Sequence, residues 1–341
     1  MNKFSWTVSV GQEKVLPYLA DVKMGDFFLK LESCVKSFQI GRKRVKEIFN
    51  EEANNNEITL PNVSGPHLSY GHLACLGAKI IFPEDSEPAP NPFYSNIKEG
   101  INALKRKVDF KDNLLFQHYQ KMCNHLQKKF PEEKVGFSGF GHEGPITSAV
   151  LLRGQNFFLD IYDHPGLTKE FLNLLTQSII EFVHFSRKLN SQPEIDKKRS
   201  GLADDFSSLI SPSLWPEFVV PYWEKYYRGI TTGSRTIHVE NLNPEHLKYL
   251  EEVGIIFYDP SDSPKLTPNI IRERINIPFM WRLHSFQIPT MSKEDIRNWV
   301  FQTVDQGASH IYTGIDRNIL EGDNPDKIRA FIKAAKEAKN D

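Results

Sequence analysis

The sequence predicts an α/β fold, a (β/α)8 TIM barrel preceded by an N-terminal helical extension. Three observations lead there. From residue 58 onward, short apolar or β-branched runs alternate with longer amphipathic ones, which is the pattern of βα units around a parallel sheet. Helix starts recur at Ser, Thr or Asn followed by proline or acidic residues. The strand candidates add up to about the eight that a closed barrel requires.

Taken in order, residues 1–57 read as helical and as a cover for one end of the barrel, and residues 58–341 as the barrel itself. The strand candidates are EITLPNVS (57–64), AKIIFP (78–83), KVGFSGF (134–140), SGLADD (200–205), RTIHVE (235–240), GIIFYD (254–259), IPFMWRL (277–283) and SHIYTG (309–314). Ser211-Pro212 places a capping hydroxyl before a proline suited to the first helical turn, and WPEFVVPYWEKYYRG then runs amphipathically to Gly229. Asn243-Pro244, Thr267-Pro268, Ser292-Lys293-Glu294-Asp295 and Asn324-Pro325 open helices in the same way. No internal repeat, low-complexity segment or Gly/Ser linker separates domains.

Bulk composition removes several classes of function. The 42 basic and 43 acidic residues give a formal charge of −1 and are interspersed, so no long-range field would gather nucleic acid or anionic lipid. Arg42-Lys43-Arg44 reads as a solvated helix face. Cys34, Cys75 and Cys123 lie far apart without a Cys-x-x-Cys pair, which suits a reducing cytoplasm and offers no thiolate metal knuckle. The N-terminal stretch carries no targeting signal, and nothing reaches the roughly 18 apolar residues of a membrane span.

Three passages resemble the uroporphyrinogen decarboxylase superfamily. GHEGPITSAVLLRGQNFFLDIYDHPGLTKEFLNLL (141–175) is similar to its Gly-Pro-Phe-Thr segment and following helices, and ADDFSSLISPSLWPEFVVPYWEKYY (203–227) to its Asp-Asp, Ser-Pro, Phe and Pro-Tyr passage. IHVENLNPEHLKYLEEVGI (237–255) is similar to a strand end of the His-x-Cys type followed by a helix. The resemblance covers roughly residues 60–340, in the right order. It implies either a cofactor-free decarboxylase or a methylcobamide:thiol methyltransferase that uses zinc. GPHLSYGHLACLGAKIIFPEDSEPAP (65–90) looks like the methyltransferase branch, and no counterpart of the decarboxylases' Arg-Gln-Ala-Gly-Arg passage is present. The chain departs from the methyltransferase zinc set as well, with Glu240 in the His-x-Cys position and Ile315 where the later cysteine falls.

Residues two apart on a strand share a face, so His238 and Glu240 should both meet the lumen near its C-terminal mouth. An imidazole and a carboxylate suit zinc or another divalent metal, with Asp204, Asp205, Asp259, His284 or Asp316 as a third donor. The alternative is a His–Glu hydrogen bond that only orients the strand end. His142 and Glu143 follow a strand on a glycine-rich turn and are candidates for acid–base work, or else Glu143 caps the next helix. Of Asp204 and Asp205 one should point inward. Arg282 is the choice for gripping an acidic substrate or an inward Asp, or else it pairs with Asp259; His284 lies beside it at the strand exit, and Asp259-Pro260-Ser261 and Tyr312 complete the ring.

The reading is an enzyme that moves a methyl group between a corrinoid carrier and a nucleophile, or demethylates a small substrate. His142, Glu143, Asp204 and Arg282 would be catalytic, Asp205, Asp259, His284 and Tyr312 would contact substrate, and His238 and Glu240 would hold the metal. The expected partners are a small-molecule substrate and a corrinoid protein, with a homodimer left open, and neither nucleic acid nor membrane. Decarboxylation of a porphyrinogen or smaller carboxylic acid, and a barrel that only binds a corrinoid or small ligand, are the alternatives.

Overall fold

The computed structural model describes residues 4–340. Its strands are β1 (Ser5–Val10), β2 (Ile80–Ile81), β3 (Ala89–Pro90), β4 (Arg199–Ala203), β5 (Ser234–His238), β6 (Ile255–Asp259), β7 (Met280–Leu283) and β8 (His310–Ile315). They form a parallel sheet in the order β4-β5-β6, a second parallel sheet in the order β1-β8-β7, and the antiparallel pair β2-β3. A parallel bridge between Tyr258 and Phe279 links the two larger sheets. Beyond their free edges, single bridges join Ser9 to Thr59 and Leu68 to Phe140, and the Gly144 amide donates to the Ala203 carbonyl.

Alternation along the strands separates two faces. In β8 every second residue is buried, and β4 begins the same way with Ser200 and Leu202. One face turns to the helices: Arg235 pairs with Glu224 on helix Val220–Ile230, and Ser200 accepts a hydrogen bond from Arg187 on helix Pro165–Leu189. The opposite parity gathers Asp259, His238, Arg282 and Tyr312, where the ionisable chemistry lies. Helix starts follow the sequence logic in several places. Thr267 accepts from the Ile270 amide, and Ser292 with Asp295 and Asn243 with His246 form reciprocal capping boxes. Ser211 does not cap; its hydroxyl meets that of Ser213 at 3.0 Å.

Four sequence expectations need correction. Residues 1–57 are not helical throughout, because β1 pairs along its length with β8; helices begin at Gln12–Leu19. The two-residue period of Thr7-Val8-Ser9-Val10, with Val8 and Val10 buried, is a strand signature. Residues 134–140 form no ladder, and their one bridge joins Phe140 to Leu68. Gly139 has φ +80° and lies so close to the backbone that a Cβ would stand 2.4 Å from the Gly65 and Pro66 carbonyl oxygens. Residues 57–64 contribute only the bridge at Thr59. AKIIFP contributes β2 to a short hairpin outside the parallel sheets, among prolines at 83, 88, 90 and 92 that cannot donate to a ladder.

Lys43 and Arg44 are exposed on helix Arg42–Ile48 as expected, whereas Arg42 pairs with Glu133. Among the described residues no helix is long and apolar enough to cross a membrane.

Candidate active site at the strand ends

Pairing of β4, β5 and β6 sets Ala203, His238 and Asp259 side by side at the carboxyl ends of three strands. His238 Nδ1 lies 2.9 Å from Asp259 Oδ2. Its Nε2 looks toward two further carboxylates, Asp205 at 3.6 Å and Glu240 at 3.9 Å. Burial pulls the imidazole toward its neutral form, but the hydrogen bond to Asp259 and the negative charges of Asp259, Asp205 and Glu240 outweigh it and raise the pKa to about 9. His238 is therefore an imidazolium at neutral pH. Its charge and its proton are held by acids from three separate strand ends.

The surrounding groups are tied to one another. Asp205 Oδ1 accepts the Glu240 amide at 3.0 Å, which fixes the loop after β5, and Asp259 Oδ1 accepts both the Ser261 amide at 3.0 Å and the Tyr312 hydroxyl at 3.2 Å. Burial raises Asp205, opposed by the nearby His238 charge. Glu143 is pushed up to about 8, first by burial and then by the charge of Asp205, with a hydrogen bond from Ser69 acting the other way. It thus carries a proton at neutral pH. Burial and the Asp259 charge raise Tyr312.

Arg282 does not pair with Asp259. Its guanidinium lies 5.7 Å from the Tyr312 ring centroid, its closest polar contact is a long 3.4 Å approach to Ser261 Oγ, and its Nε is buried without a hydrogen-bond partner. A charged donor in that state is costly unless an acceptor arrives. His284 sits farther out, its ring stacked on Phe286 with 5.1 Å between centroids and its Nε2 3.9 Å from Asp262. Burial and the Arg282 charge lower its pKa.

Two candidate catalytic residues lie elsewhere. Asp204, fully buried, turns under helix Pro145–Arg153 and accepts the amides of Thr147 at 2.6 Å and Ile146 at 3.3 Å and the Trp223 indole at 2.7 Å. It anchors a helix start, and a Cβ at Gly144 would lie 2.5 Å from its side chain. Parity explains the correction, since only Asp205 of the pair faces His238. His142 points between helices and bonds through Nε2 to Tyr226 at 3.0 Å. Burial, followed by the Arg187 charge, lowers it to about 4. Asp316, a possible third metal donor, is engaged by Ser285 at 2.5 Å. Ser261, expected in the ring with Asp259, holds Asp259 through its amide and approaches Arg282, whereas the sequence assigns no role to Trp223, whose indole holds Asp204.

Among the described residues no three His, Cys, Asp or Glu side chains are gathered to hold an ion. His238 bonds Asp259 through Nδ1, its Nε2 faces Asp205 and Glu240, and these carboxylates favour the protonated ring.

The ionisable cluster lies at the carboxyl ends of parallel strands, where α/β folds hold their ligand sites. Residues 70–338 match the family described as uroporphyrinogen decarboxylase (URO-D), and the chain belongs to that family. None of the curated proteins matches it in sequence. Among 31 solved chains that match is a methyltransferase from Methanosarcina mazei, with TM-score 0.68 and 14% identity over 99% of this chain and 94% of that one. At that identity the likeness shows the shared fold.

Proposed function

We propose that this chain is a methyl-transferring enzyme of the uroporphyrinogen decarboxylase family in which His238 is the general acid. The observation that carries the reading is the imidazole held charged by Asp259 at 2.9 Å and faced by Asp205 and Glu240. A methyl group leaves an oxygen, nitrogen or sulfur more readily when that atom gains a proton as the bond breaks. His238 supplies this proton, the methyl passes to an attacking nucleophile, and the demethylated heteroatom leaves with its new hydrogen. Protonated Glu143, close to Asp205, is the local reserve from which the imidazole regains its charge. Asp259 positions the ring, and Tyr312 fixes Asp259. Arg282, with its unspent donor, grips an acidic part of the substrate.

A reduced corrinoid brought by a carrier protein supplies the nucleophile when bound. An apolar rim supports this choice of partner: Leu209 after β4 and Phe286 after β7 are 60% and 67% exposed on strand-end loops, as a flat macrocycle would need. The order of ladders and bridges from β4 through β8 and β1 to Thr59, and from Leu68 through Phe140 to Ala203, supports reading the strands as a (β/α)8 barrel with this rim at its mouth.

The experiment offers methoxy, methylthio and methylamino compounds to the protein with reduced cobalamin and follows methylation of the corrinoid by its absorbance. Turnover with at least one class, lost in His238→Gln, is expected. Transfer by His238→Gln at the wild-type rate, or none with any class, contradicts the reading. Arg282 favours a second reading, decarboxylation of a carboxylic acid with His238 protonating the carbon left behind. Because among the described residues this is the one guanidinium with a free donor at the site, conversion of uroporphyrinogen, with its many carboxylates, is expected to be absent in a direct assay.

A further inference from the structure

A second cavity, of about 370 Å³, opens where residues 134–140 fail to ladder against β4. It is lined by His142, Ser186, Arg187, Arg199 and Ser200 among apolar neighbours that include Phe182. None of these residues belongs to the His238 cluster. Its polar groups are arranged for a ligand the protein does not itself provide.

Arg187, on helix Pro165–Leu189, donates Nη1 to the carbonyls of Glu194 at 2.5 Å and Ile230 at 2.6 Å, and Nη2 to Ser200 Oγ at 3.0 Å. All three acceptors are neutral, so the guanidinium is fixed in place while its charge is left without a bonded counter-charge. Asp196 feels the Arg187 charge but makes no bond to it; its Oδ1 accepts the amides of Lys198 and Arg199. Among the described residues Arg199 makes no ion pair and lies with its guanidinium 5.9 Å from the Phe257 ring centroid. Ser186 Oγ is buried without any hydrogen-bond partner. The Tyr226 hydroxyl donates to the Gly201 carbonyl at 3.0 Å, so it must accept from His142 Nε2, and His142 Nδ1 is left as an acceptor. The cavity therefore presents two cations, a free hydroxyl and one lone pair.

We infer that this cavity is a binding site for a hydrogen phosphate group, free or as the monoanion of a phosphomonoester, held by Arg187 and Arg199 with Ser186 donating and His142 Nδ1 accepting the phosphate O–H. A carboxylate or sulfate meets the cations but has no hydrogen for His142. The site is independent of the methyl-transfer reading.

Calorimetric titration with inorganic phosphate at constant ionic strength tests it. One saturable equivalent is expected, weakened about tenfold or more in Arg199→Ala and in Ser186→Val, unchanged in Arg282→Ala, and replaced by weaker binding when sulfate is the titrant. Arg199 is exposed, so its replacement leaves the fold intact, and circular dichroism checks Ser186→Val. Absence of saturable binding at millimolar phosphate, sulfate bound as tightly as phosphate, or binding lost in Arg282→Ala but kept in Arg199→Ala would each overturn the inference. Glucose 6-phosphate and glucose, titrated in parallel, separate the sources: binding of the ester but not the sugar extends the site to phosphomonoesters, and binding of both equally contradicts a phosphate site.

Discussion

The two halves of the sheet are built differently. Between residues 199 and 315 five parallel strands lie in two ladders, β4-β5-β6 and β7-β8, linked by the Tyr258–Phe279 bridge, and residue parity decides which side chains meet at the strand ends. Between residues 57 and 144 the chain passes the same sheet edges with single bridges at Thr59, Leu68 and Phe140. The regular half supplies the ionisable cluster, with Asp205, His238, Glu240, Asp259, Arg282 and Tyr312. The irregular half supplies Glu143 and Ser69 and leaves the gap that opens the second cavity. Register fixes chemistry in one half, and its failure makes room in the other.

Substitutions can break this contrast. The largest effect is expected in the regular half, where His238→Gln should lower methyl transfer by about 100-fold or more, the usual contribution of a positioned acid, with folding by circular dichroism unchanged. Next comes the joint between the halves. Asp204→Ala leaves the Thr147 and Trp223 donors unsatisfied and should cost about 2–4 kcal/mol in urea unfolding. An unfolding midpoint equal to the wild type would mean that Asp204 is not the anchor of the helix start. In the irregular half, Gly139→Ala drives a Cβ into the carbonyls of Gly65 and Pro66 at a positive φ, and a loss of about 1–3 kcal/mol is expected from the same measurement.

A smaller and graded effect concerns pH. Glu143 rises from 4.5 to about 8 and His238 from 6.5 to about 9 on folding, so the folded chain binds more protons than the unfolded one between these values. Their contribution is fully present below the unfolded values and is lost as pH rises through the folded ones. Unfolding free energy should therefore fall from mildly acidic to alkaline pH, and the fall should shrink in the Glu143→Gln variant.

Legibility in the sequence followed the same division. Strands β4 to β8 were found within a few residues because β-branched and aromatic residues with a two-residue period have paired neighbours to satisfy. β1 was missed under the helices that follow it, and the segments at 57–64, 78–83 and 134–140 were overcalled, since apolar runs rich in glycine and proline lack the donors or the space for a ladder. Within the site, His238 and Glu240 were placed by parity, and one of Asp204 and Asp205 was expected inward without the sequence deciding which. The Asp259 bond to His238 was not foreseen, because register between strands far apart in the chain is set by tertiary packing. That bond favours the protonated imidazole on which the proposed proton donation rests.

The protonation state of His238 is the most direct test. Nuclear magnetic resonance titration of histidine-labelled protein should show one imidazole titrating near 9, absent in His238→Gln and shifted downward in Asp259→Asn. If every histidine is neutral above pH 7, or if the Asp259 substitution moves none of them, His238 is not the acid and the proposed mechanism is wrong.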